Sequence, residues 1–542
     1  MTPDPVHPSL AILRFLVPSA RDIIFILLFW SLLAGPLSNR PLADADIGWH
    51  IRTGEQILAT HSIPRTDPFS STMQGQPWFA WEWLYDALLG VLYHACGLNG
   101  VVWLCALLVA SIFVALLWLL LKEGTGLPLA IILMLLAEAA ATIHLYARPH
   151  IVSWLFSLLW FVALERWEQP VAQRWLQWFF PASMVLWVNL HGGWIFGLAM
   201  LGTYALAEFV ESLRTADTFA RIHTWKRACA LGWALLWSAL ATLVNPYGWR
   251  LHAHVYRYLG DRYLINRISE FQSPDFHGWA ERCFGTILLL TLIGFAGNRR
   301  ALPLRHLLVA LLAVYAGLYS SRNLPVSSML LALIAGPILW ESFVSLAEKP
   351  GGWTWVRRWV GRISSFSERM CAQELELHGH LWPVVTVIAA LTICMQGGRL
   401  GPRQLIQARF DPQKLPVAAV GNLQQGKSTE PVFSVDAWGG YLIYRLYPER
   451  KVVIDDRHDL YGSERIREYL ILVQAEPGWE KELEKWQIKT ALLPARSTLA
   501  NLLREFPREW HPVYEDHVAV VFKKEFKKEF QKGVPGDPKL KP

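Results

Sequence analysis

Residues 101–121 read VVWLCALLVASIFVALLWLLL. No charged side chain interrupts this run, and as a helix it is long enough to cross the roughly 30 Å hydrocarbon core of a bilayer. Working outward from it, further apolar runs occur at 22–37, 127–147, 150–166, 175–190, 194–212, 227–244, 283–297, 306–320, 324–346 and 381–397, which predicts about 11 transmembrane helices in all. One more stretch, 82–96 (EWLYDALLGVLYHAC), carries Glu82, Asp86 and His94. That polar content predicts a helix lying in the interface rather than crossing it.

The composition agrees with a membrane body. Hydrophobic residues make up 53% of the 542 residues, charged residues only 18%, and mean hydropathy is +0.25. This excludes a disordered chain. The 28 Trp suit two membrane–water interfaces. The six cysteines form no CxxC and five lie in or beside apolar runs, which excludes a disulfide scaffold. Net charge is +7. Much of that excess reads as a topology signal: Arg14 and Arg21; Arg214, Arg221, Lys226 and Arg227; Arg299, Arg300 and Arg305; and Lys349, Arg357, Arg358, Arg362 and Arg369 all fall on one side if 82–96 does not cross. The positive-inside rule then places the N-terminus in the cytoplasm, with 22–37 as an uncleaved signal-anchor. The expected location is a bacterial inner (plasma) membrane, with membrane lipids as partners and no nucleic acid. The loop 245–282, with five Arg, falls on the outer side against the rule.

Past residue 400 charges return and apolar runs shorten. The pieces 431–435, 451–454, 478–487, 491–494, 498–506 and 517–522 read as strand-like segments alternating with amphipathic helix. The fold class expected is therefore a polytopic α-helical membrane domain (1–400, with a first outer loop at 38–100) and a C-terminal extracytoplasmic α/β domain (401–525), followed by a basic flexible tail (526–542).

With this sidedness, Asp, Arg, His and Asn recur at the outer ends of the spans. They are Asp44 and Asp46 with His50 and Arg52; Arg148-Pro149-His150; Asn189-Leu190-His191; Asn245-Pro246-Tyr247-Gly248; and Arg322-Asn323. Taken singly, each has a plain structural reading: the arginines as snorkelling cations, His191 as a turn histidine, and Asn245 as the end of a helix. Ionisable groups at membrane depth otherwise face a cavity or each other. Arginine clamps phosphate bidentately, and a carboxylate serves as base or metal ligand. An apolar phase over 51–58 predicts a helix that starts near Asp46, where the helix dipole would hold the carboxylate ionised.

Asp46-Ile47-Gly48-Trp49-His50-Ile51-Arg52 resembles the Asp-x-x-aromatic-His-x-Arg opening of the first outer loop in archaeal-type oligosaccharyltransferases. With many spans and an outer C-terminal domain, the chain resembles the GT-C glycosyltransferases. These are membrane enzymes that use polyprenyl-phosphate-linked sugar donors. Its Arg-Pro-His, Asn-Leu-His-Gly-Gly, Asn-Pro-Tyr-Gly and Ser-Arg-Asn turns are similar to those of a bacterial GT-C-like group. The resemblance implies a catalytic and metal-binding role for Asp46, with a divalent cation (Mg or Mn), and an outer face that handles lipid-linked sugar. Two features depart from the family. Its second outer loop carries an acidic pair, where this chain has Ala147-Arg148-Pro149-His150. Val432–Leu442, containing Trp438-Gly439-Gly440-Tyr441, is similar in placement to the acceptor-recognising Trp-Trp-Asp-Tyr-Gly region but lacks its Asp. The other reading of that segment is a glycine pair that permits close backbone packing. Likewise Ile454-Asp455-Asp456-Arg457-His458-Asp459 reads either as a ligand site or as a solvated loop with internal ion pairs.

The expectation is glycosyl transfer from a polyprenyl-phosphate sugar donor to an unknown lipid, glycan or protein acceptor. Asp46, or failing it Asp44, would be the catalytic carboxylate. Arg148, Arg322 and Arg52 would bind the donor phosphate, and His50, His150, His191 and Asn245 would position substrate. Trp438 and Tyr441 would lie on the acceptor side. The alternatives are a non-catalytic GT-C-like scaffold, or a transporter or assembly protein for envelope glycans.

Overall fold

The computed structural model describes residues 15–298, 301–347, 353–377, 380–426 and 428–525. The basic tail, and Arg14, Arg299, Arg300 and Lys349 of the sidedness pattern, lie outside the described residues.

Every predicted span falls on a helix. In chain order these are Ala20–Leu33, Leu98–Lys122, Leu127–Ala141, His150–Glu165, Pro170–Leu190, Trp194–Arg214, Thr218–Ala241, Trp279–Gly297, Leu304–Tyr319, Leu324–Ser345 and Leu381–Met395. Among the described residues, five helical stretches are long and apolar enough to cross a membrane: Leu98–Lys122, Leu127–His144, Trp194–Arg214, Trp279–Gly297 and Ser321–Ser345. Thr354–Glu376 and Leu381–Met395 meet at 60° and make a sixth if taken as one bent span. His150–Glu165 and Leu304–Tyr319 are shorter apolar helices. Local chemistry sets the ends. The Ser19 hydroxyl accepts from the Asp22 amide at 3.1 Å and the Asp22 carboxylate accepts from the Ser19 amide at 2.9 Å, a reciprocal cap that starts Ala20–Leu33.

The first loop contributes two helices, Ile47–Thr60 and Trp83–Cys96. They cross at glycine. A Cβ on Gly54 would lie 1.9 Å from the Asp86 carbonyl oxygen, and one on Gly90 would lie 2.7 Å from the Gly54 carbonyl carbon. Trp83–Cys96 is the helix read as interfacial.

The C-terminal domain holds a four-stranded sheet in the order Val432–Ser434, Thr490–Pro494, Ala519–Lys524, Trp510–Glu515. The first pair is parallel and the other two are antiparallel. Of the segments expected, 431–435, 491–494 and 517–522 fall on strands and 478–487 and 498–506 on helices. Residues 451–454 differ: Val452 makes only single bridges, to Val432 and to Ser70 of the first loop. The strand Trp510–Glu515 and the helix His458–Val473 were not expected.

The domain is fastened onto the first loop. Gly440 lets the Asp436–Leu446 helix lie against the start of Ile47–Thr60, since a Cβ on Gly440 would sit 2.4 Å from the Ala45 carbonyl oxygen and one on Gly48 2.2 Å from the Gly440 carbonyl oxygen, while a Cβ on Gly439 would sit 2.4 Å from that of Asp455. This is the close-packing reading of the glycine pair. Ser71 donates its amide to the Val452 carbonyl at 2.8 Å, and Val452 returns one to Phe69 at 3.2 Å. Gly440→Ala is expected to destabilise the protein by about 1–3 kcal/mol, because backbone must move to admit the methyl. Gly421→Ala, in a helix with open space around it, should be neutral or stabilising by about 0.5–1 kcal/mol. Thermal unfolding of both variants in detergent checks the contrast, and equal effects would contradict the packing account.

Candidate active site

The turns singled out in the sequence meet at one face of the helical body, beneath the C-terminal domain. Arg148 follows the turn that ends Leu127–His144, and it is the centre of the cluster. Its guanidinium lies 2.8 Å from Asp44, 3.2 Å from Asp46 and 3.1 Å from Glu270. Glu270 also reaches Arg322, at 3.5 Å. Arg322 in turn lies 3.1 Å from Nε2 of His191. The His191 Nδ1 accepts from the Gly193 amide at 3.1 Å and lies 2.6 Å from the Ser153 hydroxyl, while its Nε2 faces the Arg322 guanidinium. That nitrogen is 3.6 Å from Glu82, and Glu82 is 3.8 Å from His50, whose Nδ1 is 2.6 Å from Asp86. Asp46, Arg148, Glu270, Arg322, His191, Glu82, His50 and Asp86 thus form one continuous polar chain.

The loop 245–282, which broke the charge rule, sits on this same face. The Ser321 amide donates to the Gln272 carbonyl at 2.9 Å and the Ser320 hydroxyl to that of Glu270 at 2.7 Å. Two cavities open beside the chain. One, of about 660 Å³, is polar and includes Asp44, Arg148, Glu270, Trp438 and Asp456 in its wall. The other, of about 460 Å³, is lined largely by apolar and aromatic groups such as Trp154, Phe196, Leu259 and Phe271, with Glu82, His150, His191 and Arg322 at its polar end.

Burial sets the charge states. Asp46 stands at the N-cap position of Ile47–Thr60 but makes no capping hydrogen bond. Burial, then the carboxylates of Asp456 and Asp44, push its pKa well above the usual range, with Arg148 opposing. The helix-terminus expectation of a depressed pKa is therefore corrected: the carboxylate turns into the cluster rather than toward the amides. Burial also raises Asp86 and lowers His50, so both favour their neutral forms. Burial pushes Glu270 up as well, but Arg148 and Arg322 outweigh it and hold the group well below the usual carboxylate range. Burial pushes Glu82 up to about 7, against the pull of Arg322 and Arg148.

Several expected site residues stand elsewhere. Arg52 is not at the cluster: it donates to the Tyr444 carbonyl at 2.9 Å and pairs with Glu55 at 2.7 Å, clamping two helices together. Asn245 spends its amide on its own turn, donating to Thr242 and Gly248 and accepting from the Tyr247 amide. This is its helix-ending reading. Tyr441 is packed in the core against Phe410, whereas Trp438 lines the polar cavity. His150 lies 6.4 Å from His191, ring to ring, and is bound to the His144 carbonyl. The second-loop acidic pair of the family has no counterpart. The Arg148 guanidinium stands 3.2 Å from Asp46, so a cation held by those two loops does not fit these residues. Glu270 was missed because Ser269-Glu270-Phe271 matches no motif. Glu82 and Asp86 were noticed only as polar residues of an interfacial helix.

Comparison of the sequence with protein-family models and with curated proteins gives no match. The fold is that of the GT-C glycosyltransferases. It superposes on the apo oligosaccharyltransferase of Archaeoglobus fulgidus with a TM-score of 0.51, 13% identity, and 88% of this chain and 69% of that one covered. The archaeal oligosaccharyltransferase AglB from Archaeoglobus fulgidus, in complex with an inhibitory peptide and a dolichol-phosphate, gives 0.53 with the same identity and coverage. ArnT from Cupriavidus metallidurans, bound to undecaprenyl phosphate, gives 0.47 at 13% identity, covering 92% and 97% of the two chains.

A folded Glu82 that keeps its proton to about pH 7, against an ordinary value of 4.5, binds a proton the unfolded chain has lost. Stability from this group is full below pH 4.5 and is lost as pH rises to about 7, on the order of 3 kcal/mol. Glu82→Gln should flatten that part of the stability-versus-pH profile. Parallel profiles for wild type and variant would contradict the assignment.

Proposed function

We propose that the protein is a glycosyltransferase that moves a sugar from a polyprenyl-phosphate-linked donor to a lipid, glycan or protein acceptor at the outer face of a membrane. In this reading the eleven apolar helices span a bacterial inner membrane, with the N-terminus cytoplasmic and the C-terminal domain extracytoplasmic. The observation that carries the reading is the polar chain from Asp46 to His191, which joins a polar cavity to an apolar one. A lipid-linked phosphate needs such a junction, with hydrocarbon on one side and cations at the other. The dolichol-phosphate bound in the AglB complex supports a donor of this class.

The donor lipid enters the apolar cavity and its phosphate meets Arg322 and His191, then Arg148. The acceptor hydroxyl comes from the polar cavity. Asp46 takes the hydroxyl proton while the oxygen attacks the anomeric carbon. The bond from that carbon to the phosphate oxygen breaks, and its electron pair leaves with the phosphate. The leaving group needs charge neutralisation more than a proton, which suits arginine over a second carboxylic acid. Burial keeps Asp46 from being a permanently ionised, weak base, and Glu270 holds the two guanidinium groups toward one another until phosphate arrives.

Vesicles containing the purified protein and radiolabelled polyprenyl-phosphate sugars test this. Asp46→Asn should lower turnover by roughly 10²–10⁴-fold, with Asp44→Asn milder. Arg322→Ala should weaken donor binding by roughly 10–100-fold, the worth of a charge-assisted hydrogen bond, with a smaller effect on acceptor KM. Wild-type turnover in Asp46→Asn would overturn the assignment, and donor binding with no transfer in wild type would favour a scaffold that only holds lipid-linked sugar.

A further inference from the structure

We propose that a divalent cation of the Mg²⁺/Mn²⁺ class binds between the C-terminal domain and the first loop, held by Asp436, Asp456 and His458 with Asp46 facing it. The three domain residues converge. Nε2 of His458 lies 3.0 Å from Asp436 and 3.3 Å from Asp456, and the donor atoms of all three lie within 4.8 Å of one another. Ligands about 2.1 Å from an octahedral ion sit about 3 Å apart, so little movement is needed. Asp436 is already oriented: one of its oxygens accepts from the Tyr469 hydroxyl and the Ala437 amide, both at 2.8 Å, which turns the other toward His458. Outer partners of this kind fix ligand geometry.

The independent sign of a missing ligand is Asp46. It is 98% buried, and one carboxylate oxygen has no hydrogen-bond partner. Its carboxyl group meets that of Asp456 across the seam. Two carboxylates in contact are both acceptors, so they need a shared proton or a cation. Among the described residues, Asp44, Asp46, Glu270, Asp436 and Asp456 around them are ion-paired with only Arg148, Arg322 and His458. Asp456 borders the polar cavity, which gives an ion a path in. The site differs from one built on two outer loops, because here the second-loop position is Arg148 and the carboxylates come from the C-terminal domain.

The test uses Mn²⁺ and the purified full-length protein in detergent with no donor or acceptor, so it reads independently of glycosyl transfer. Electron paramagnetic resonance should show saturable single-site Mn²⁺ binding with nitrogen hyperfine coupling from one imidazole. Asp456→Asn and His458→Gln should weaken it at least tenfold, Asp46→Asn less, and Glu515→Gln, on the edge strand Trp510–Glu515 and outside the cavity, not at all. Metal-free unfolding temperatures confirm that the variants fold. Absence of saturable binding, or binding without nitrogen coupling in wild type, overturns the proposal and leaves the imidazole as a simple ion-pair partner of the two carboxylates.

Discussion

One buried guanidinium, that of Arg457, sets the relation between the two halves of the molecule. It holds Asp455 with two hydrogen bonds, at 2.8 and 2.7 Å, and Asp67 of the first loop at 2.8 Å. The rings of Phe69 and Trp78 lie against it. A buried ion pair of this kind is costly to form and more costly to break, because a lone charge would remain in a dry environment. Its net stabilisation is therefore modest, but its geometry is strict. With Arg457 bound to Asp67, Asp456 one residue earlier is held at the seam, opposite Asp46. The glycine contacts at Gly48, Gly439 and Gly440 then bring the backbones together closely enough for the two carboxyl groups to meet.

The opposite constraint operates at Arg148. There one cation serves three carboxylates, and burial removes the water that would otherwise screen them. The charges are not all satisfied at once. Glu270 keeps its charge because it has two arginines, while Asp46, sharing its arginine with Asp44 and facing Asp456, is pushed toward the protonated form. A carboxylate with little to stabilise its charge is a stronger base than an ordinary one. The chemistry of the site follows from unequal sharing of a few charges, which no single residue displays.

Much of the fold could be read in advance. Long apolar runs dictate helices because the backbone has no other way to satisfy its hydrogen bonds in hydrocarbon, and each run became one. Alternation and turn residues marked most strands of the small domain. What could not be read was contact between distant segments. The 451–454 stretch is apolar enough for a strand, yet it lies between the sheet edge and the first loop, with single bridges to Val432 and to Ser70. Arg52 sits in the motif that drew attention to the loop, but its side chain points along the other face of the helix, to Tyr444. Period alone did not tell which face would be covered.

The candidate site divides in the same way. Asp44, Asp46, Arg148, His191 and Arg322 were recoverable because polar groups at the ends of apolar runs are expensive and need a reason to be there. That argument requires only hydropathy and position. Asp456 and His458 stand out only within the acidic run 454–459, which reads equally as a ligand site or a solvated loop, and Glu270 and Asp436 lie in ordinary polar stretches where charge costs nothing locally. Their roles arise from burial, and burial arises when the domain docks. The sequence thus set the helices, the acidic first loop and the cations that must face inward. Folding selected the carboxylates that share those cations, because electrostatic energy depends on distance and dielectric, and both are properties of the assembled molecule.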